Sequence, residues 1–368
     1  MKRILFRVMT TILKIAMWPF LKRDKTGELL QNQVCSYIRN STNNYCTFKL
    51  RPKNADQLVE SEIKSRTDYS KFAIVLQGLI ETKDDFTYQS VLYYKKLYPG
   101  AIIIISKWDY TDEHLVDRFK VLGCEIVLSK DITPCGTGNV NYQICTTLAG
   151  IRKAKELGAV YVLKNRSDLR LYKEGALVFM KGLLDNYPVR SDNKYGLKGR
   201  IITQGGNPGQ MFIPYWLQDF IYFGYTDDLL NLFDIQYSEQ AIHSTPKYLK
   251  EKYDVVTGDT LREEQTPEIY ITRTFLEKYE ELPYSVEHFW RLIKDIFLFV
   301  DSDTIGSFWG KYNIYNMGWF QCEYDGKTNF PDAKKHIGFV DFVNIYNDEY
   351  KYEPWMETKS KDYIVFQK

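Results

Sequence analysis

The chain has 368 residues, 44% hydrophobic and 26% charged, close to the globular average, which excludes a disordered or fibrous protein. Lys and Arg (49) nearly balance Asp and Glu (47) for a net charge of +2. That excludes a general nucleic-acid binder, which needs a large basic excess to hold phosphates. Cys35, Cys46, Cys124, Cys135, Cys145 and Cys322 form no CxxC pair, and no HExxH occurs. An ordinary zinc site and a disulfide scaffold are therefore not expected, and the thiols read as reduced, cytosolic packing residues.

In chain order, residues 1–23 read as a basic amphipathic helix. Arg3, Arg7, Thr10, Thr11 and Lys14 fall on one stripe, with Ile4, Leu5, Val8, Ile12, Ile15 and Trp18 around the rest. Pro19 ends it. Arg7 and Lys14 interrupt the ~20 apolar residues that a membrane span takes, and no secretory cleavage pattern follows. Such a helix suits the surface of an anionic membrane or packs on the protein's own body. Residues 24–70 are polar and weakly periodic, as a connecting segment is. From 71 to 310 the pattern sharpens into a domain. Phe72–Gly78, Ala101–Ser106, Cys124–Ser129 and Ala159–Lys164 are short apolar, β-branched runs predicted as buried strands. Residues 84–98, 111–121 and 140–157 between them are predicted helices. Residues 311–368 form an aromatic-rich C-terminal extension.

Alternating strands and helices predict an α/β fold with a mainly parallel central sheet and helices on both faces. Such sheets bind ligands beyond the carboxyl ends of their strands. That rule collects Gln77, Gly78, Ser106, Trp108, Asp109, Asp131, Asn165, Arg166 and Asp168. No GxGxxG follows the first strand, and no GxxxxGK[ST] or GxSxG occurs, which removes dinucleotide-binding, P-loop and α/β-hydrolase chemistry. An acidic residue just past the fourth strand suits glycosyl transfer from a nucleotide sugar. The charge of the leaving diphosphate grows as the C1–O bond breaks, and a divalent ion offsets it. Asp168 is the candidate ligand for Mn²⁺ or Mg²⁺, with an ion pair to Arg166 or Arg170 as its alternative. Asp301-Ser302-Asp303 is a second, weaker candidate, and His288 a late one.

The segments Ile74–Ile80, Tyr98–Asp109, Asn139–Gln143 with Thr146–Gly150, Val162–Asp168, Asp219–Gly224 and Pro267–Tyr270, in this order and spacing, resemble the WavE-type lipopolysaccharide-synthesis family, read as glycosyltransferases with a GT-A-like, Rossmann-type domain. The resemblance spans about residues 71–320. It implies a bacterial enzyme, peripheral to the cytoplasmic face of the inner membrane. The enzyme would move a sugar from a nucleotide-sugar donor to a lipid-linked or oligosaccharide acceptor: lipopolysaccharide, lipooligosaccharide or capsule. The chain departs from the commonest GT-A pattern in offering one Asp where two or three carboxylates are usual, so Arg166 could itself neutralise the diphosphate.

Roles follow from placement. Gln77 and Gly78 end the first strand and can approach the nucleotide, and Asp109 can accept from base or ribose. Asn141 and Gln143 open a helix whose N-terminus suits a pyrophosphate, with Thr147 on the same face as Gln143. The glycine-rich 205–209 segment reads as a lid or a connection. Glu268, after Pro267 at a helix start, is the expected general base. Asp219, followed by aromatic residues, is expected to seat the acceptor. Two other readings compete: a non-catalytic carbohydrate-binding or assembly protein at the membrane, and a sugar-polymer phosphotransferase.

Overall fold

The structure is a computed structural model describing residues 11–12, 26–41, 51–58, 66–205, 210–243, 245–310, 337–362 and 364–367. The chain divides into two compact units at residues 53/54. In the first, a 16-residue helix spans Thr26–Ser41, inside the stretch whose weak periodicity predicts a connector. The amphipathic helix expected over 1–23 lies outside the described residues except for 11–12. No helix among the described residues is long and apolar enough to cross a membrane.

The second unit is organised by strands β1 (Phe72–Gln77), β2 (Ile102–Trp108), β3 (Glu125–Ser129), β4 (Gly136–Thr137), β5 (Tyr161–Arg166), β6 (Leu169–Leu171), β7 (Ile201–Gln204), β8 (Ile221–Tyr225), β9 (Ala241–Ile242), β10 (Val255–Thr257), β11 (Phe297–Val300), β12 (Ser307–Trp309) and β13 (Ile364–Gln367). Seven make the central sheet, in the order β11-β7-β8-β5-β1-β2-β3. Parallel pairing joins β3, β2, β1 and β5, and joins β7 to β11. β8 runs antiparallel to β5 and to β7. The sheet is thus mostly parallel, as expected, with one reversed strand that the alternating pattern does not announce.

Every residue of β1 is buried, as a strand covered on both faces must be. Register fixes which side chains share a face. Gln77 lies beside both Ser106 and Arg166, and Val75 beside Lys164. This face receives the helix Val140–Glu156, where Ser106 Oγ donates to the Thr146 carbonyl at 2.6 Å. Gly150 of that helix sits so close that a Cβ there would lie 2.4 Å from Val75 Cγ1. The opposite face receives the helix Phe86–Leu97, where Asn165 Nδ2 donates to Tyr94 Oη at 2.9 Å.

Because β8 runs backwards, the residues that precede it arrive at the same edge as the residues that follow β1, β2 and β5. Asp219 and Phe220 therefore meet Gly78, Trp108 and Asp168. The short pair β6–β12 registers Leu169 opposite Trp309 and so brings Trp309 to that edge too. In the C-terminal region, β13 pairs with β10, and the helix Phe339–Tyr346 lays Phe342 and Tyr346 against the Arg200 guanidinium at 5.5 and 5.2 Å. Of the C-terminal extension, 311–336 lie outside the described residues.

Candidate active site

A cleft of about 540 Å³ opens at the carboxyl edge of the sheet. Its lining includes Gln77, Gly78, Trp108, Tyr110, Asn139, Tyr142, Gln143, Thr146, Arg166, Asp168, Asp219 and His243. Gln77, Gly78, Arg166 and Asp168, which the strand-end rule collects, lie on this cleft together with Gln143 and Asp219, which it does not. Gly78 has φ +103°, a conformation that β-carbon-bearing residues rarely adopt, and it turns the chain sharply at the cleft wall.

The chemistry centres on Arg166. Its Nε and Nη2 donate to Asp168 Oδ1 and Oδ2 at 2.9 and 3.0 Å. Asp168 lies in the turn at 167–168 that follows the strand, and the turn brings its carboxylate back to Arg166. Nη1 lies 3.7 Å from Asp219 Oδ2. Phe220 and Trp309 flank the guanidinium, their ring centroids 5.5 and 5.1 Å from Cζ. The two rings contact each other edge-on at 4.7 Å. Burial opposes the Arg166 charge, but Asp168 and then Asp219 outweigh it and hold the pKa above its ordinary value.

Two lysines lie beneath this edge, both essentially unexposed. Lys107 donates to the Gly78 carbonyl and Lys164 to the Asp219 carbonyl, each from a different face of the sheet. Burial pushes both down to about 7, against the pull of Asp168 on Lys107 and of Asp219 on Lys164. Gln143 Nε2 donates to Asp219 Oδ2 at 2.9 Å, which fixes that carboxylate. Glu268 is partly buried at the first turn of the helix Pro267–Leu276. Burial, then the charge of Asp219, pushes its carboxyl up to about 7. Glu268 is not among the cleft's lining residues. Its neighbour Pro267 packs against Gly138 of the lining.

Three sequence expectations are corrected here. Asn141 is fully buried: its Nδ2 donates to the Pro134 and Ser238 carbonyls and its Oδ1 accepts from Ser238 N–H. It ties two loops together and leaves nothing for a ligand. Asp109 is exposed and lies outside the cleft, whose wall is made by its neighbours Trp108 and Tyr110. Thr146, not Thr147, joins Gln143 on the cleft side, while Thr147 points into the interior. The glycine-rich segment lies outside the described residues over 206–209.

The sequence singles out Trp108 but not the aromatic wall it forms with Tyr110 and Tyr142. Trp108 stacks with Tyr110 at 6.3 Å and meets Tyr142 edge-on at 5.2 Å. His243 closes this end, its Nδ1 3.0 Å from Asn139 Oδ1. The lone signal for the lysines is a charged residue inside an otherwise apolar run.

The donor set does not suit a divalent cation. Mg²⁺ and Mn²⁺ want several oxygen ligands, whereas both Asp168 oxygens are engaged by Arg166 and Asp219 Oδ2 accepts from Gln143. No group of three or more His, Cys, Asp and Glu side chains able to hold a metal occurs among the described residues. His288 is enclosed, its Nδ1 2.9 Å from Tyr215 Oη and its Nε2 3.2 Å from Glu280. Asp301 Oδ2 accepts from the Phe339 N–H at 3.2 Å, and Asp301 lies outside the cleft.

No curated protein matches this chain. Among solved structures, the mannose-1-phosphate geranyltransferase of Thermus thermophilus is similar over 57% of this chain and 72% of that one, at 14% identity and a TM-score of 0.31. A likeness so distant carries no argument. The WavE lipopolysaccharide synthesis family matches residues 72–306, which contain every strand of the central sheet and every residue lining the cleft. The chain belongs to the WavE lipopolysaccharide synthesis family.

Proposed function

We propose that this protein is a glycosyltransferase with a GT-A-like domain, moving a sugar from a nucleotide-sugar donor to a lipopolysaccharide, lipooligosaccharide or capsule acceptor at the cytoplasmic surface of the inner membrane. The observation that carries the proposal is the composition of one cleft. It joins an aromatic wall (Trp108, Tyr110, Tyr142), a fixed guanidinium (Arg166) and a fixed carboxylate (Asp219). The wall can stack a nucleobase, the guanidinium matches a diphosphate, and the carboxylate can accept an acceptor's proton.

In this reaction the bond from C1 to the diphosphate oxygen breaks with its electron pair leaving on the diphosphate. Arg166 stabilises that growing charge. The acceptor oxygen forms the new bond to C1, and its proton passes to a carboxylate. Asp219 lines the cleft and Glu268 does not, so Asp219 is the better placed base. This inverts the order of roles that sequence placement suggests. The basic N-terminal stretch would hold the enzyme near lipid-linked acceptors.

A panel of nucleotide sugars, each with and without Mn²⁺, read by nucleotide release and product mass, tests this. One donor should be turned over, and Asp219→Asn should lower turnover about 100-fold or more while nucleotide binding persists. Glycan binding with no response to any nucleotide would overturn the proposal in favour of a carbohydrate-binding protein. Transfer of a phosphate-containing unit would mark a phosphotransferase.

A further inference from the structure

We propose that the cleft neutralises a bound nucleoside diphosphate with its own arginine, Arg166 held by Asp168, and not with a divalent cation. This rests on the nucleotide-sugar reading above and goes beyond it by giving Asp168 to Arg166 and leaving no divalent cation in the role of neutralising the leaving group.

The acidic residue at the end of β5 is where a metal ligand is expected, and there the structure has an ion pair. Asp168 engages both oxygens with Arg166, at 2.9 and 3.0 Å, and its main-chain carbonyl accepts from the Gly310 N–H at 2.8 Å. The residue is thus held through both its side chain and its backbone, in the geometry of a bidentate guanidinium partner. Releasing the carboxylate to a metal would cost a largely buried guanidinium its bidentate partner and leave it the looser ion pair with Asp219 Oδ2, 3.7 Å from Nη1, which is unfavourable.

Arg166 in turn is presented, not consumed. Asp168 takes one N–H of Nε and one of Nη2. The remaining guanidinium N–H groups have no hydrogen-bond acceptor among the described residues, and Arg166 lines the cleft. Its position between Phe220 and Trp309 fixes the direction in which those groups point, which lowers the entropy lost when they meet an anion. The cationic side of the edge is then reinforced from below. Lys107 and Lys164 each hold a main-chain carbonyl of a cleft-lining residue, Gly78 and Asp219. An incoming diphosphate favours the protonated form of both, so anion binding draws protons into the site. Asp168 is therefore a positioning residue: it acts through Arg166.

The test is calorimetric titration of the full-length protein with UDP and with GDP, first in EDTA and then in excess Mn²⁺ or Mg²⁺. At least one nucleotide should bind in EDTA, and adding metal should change its affinity by less than about threefold. Arg166→Met should weaken binding about tenfold or more in both media, without rescue by Mn²⁺, and Arg166→Lys should recover part of the loss. Asp168→Asn, which keeps one acceptor for the guanidinium, should retain metal-free binding at reduced affinity. Titrations repeated near pH 7 in buffers of different ionisation enthalpy should show proton uptake. Should Arg166→Met fail to fold, the EDTA arm and Arg166→Lys decide. Binding abolished by EDTA and restored by Mn²⁺ overturns this inference and leaves the glycosyltransferase reading standing. No nucleotide binding in either medium overturns both.

Discussion

Gly150 is the sharpest place to test how the site is held. It lies in the helix that supplies Tyr142, Gln143 and Thr146 to the cleft, and a Cβ there would come 2.4 Å from Val75 Cγ1 and 3.2 Å from Ser106 Cβ. Carbon atoms pack at about 3.5–4.0 Å, so Gly150→Ala requires the helix or β1 to give by about 1 Å. Two effects compete. Alanine gains about 0.8–1 kcal/mol of helix propensity over glycine, and overpacking a well-filled core costs about 1–3 kcal/mol. The obstructing atom is the methyl of a β-branched residue on a fully buried strand, which has few rotamers to retreat into. Overpacking should therefore win, with a net loss of about 1 kcal/mol. Val75→Ala removes the obstructing methyl at the cost of a small cavity. The double variant should lose at least about 1 kcal/mol less than the sum of the two singles. Urea unfolding midpoints of the four proteins measure this. Additivity within about 0.5 kcal/mol, or a Gly150→Ala protein more stable by its full propensity gain, would refute the tight helix–sheet contact.

Other outcomes are expected from the same structure. Glu268 has its pKa raised to about 7, so it contributes stability that is full below about pH 4.5 and lost as pH rises through 7; Glu268→Gln should gain on wild type above neutrality in thermal unfolding across pH. Lys164, lowered to about 7, has the opposite sign: its stability is present at high pH and is lost as pH falls through 7, so Lys164→Met should gain on wild type on the acid side. Arg170 is fully buried, donates to Ser90 Oγ and the Phe86 carbonyl at 2.9 Å each, and lies 4.5 Å from the Phe86 ring and 4.8 Å from the Tyr93 ring. Lysine cannot reproduce that planar contact, so Arg170→Lys should cost about 2 kcal/mol or more in denaturant unfolding. Trp108→Ala should weaken nucleotide binding by about 1–3 kcal/mol, read by calorimetry, and, because Trp108 is buried, should also lower the melting temperature.

The parallel half of the sheet is legible because β1, β2 and β5 are largely buried, while β3 at the sheet's edge is partly exposed but keeps an apolar run. β1, β2, β3 and β5 are apolar runs bounded by Gly or charged residues, and a covered strand has to be apolar throughout. The helices between them end where Gly100 and Gly158 take positive φ. β8 is hidden for the opposite reason. Phe220, Tyr222 and Phe223 are aromatic, and aromaticity serves a ligand platform as readily as a core, so Ile221–Tyr225 declares no partner. Its antiparallel place between β5 and β7 is decided by long-range pairing that local pattern does not encode. The same holds for Trp309, which reaches Arg166 because β12 pairs with β6. The link between Arg166 and Asp168 is offered by the sequence only as an alternative to metal binding, because the pair is made across the turn at 167–168 that follows β5. What no spacing reveals is that the carboxylate turns to its own neighbour and not toward a ligand.

The cleft's construction follows from which groups are held by backbone and which by side chain. Gly78 and Asp219 arrive at the edge from strands running in opposite directions. Each has its carbonyl gripped by a buried lysine, Lys107 on one face and Lys164 on the other. A lysine is an unfavourable way to satisfy a carbonyl, because burial pulls its proton off near neutrality; a serine or a water would do the same with a smaller desolvation penalty. That penalty is explained if the cation serves a second purpose. Asp168 and Asp219 offset part of the Arg166 charge, and two further groups that protonate when an anion enters would add to it. Lys107→Met and Lys164→Met should each weaken nucleoside diphosphate binding most at low pH, where the wild-type lysines are charged. An equal effect at all pH values would reduce both lysines to scaffolding.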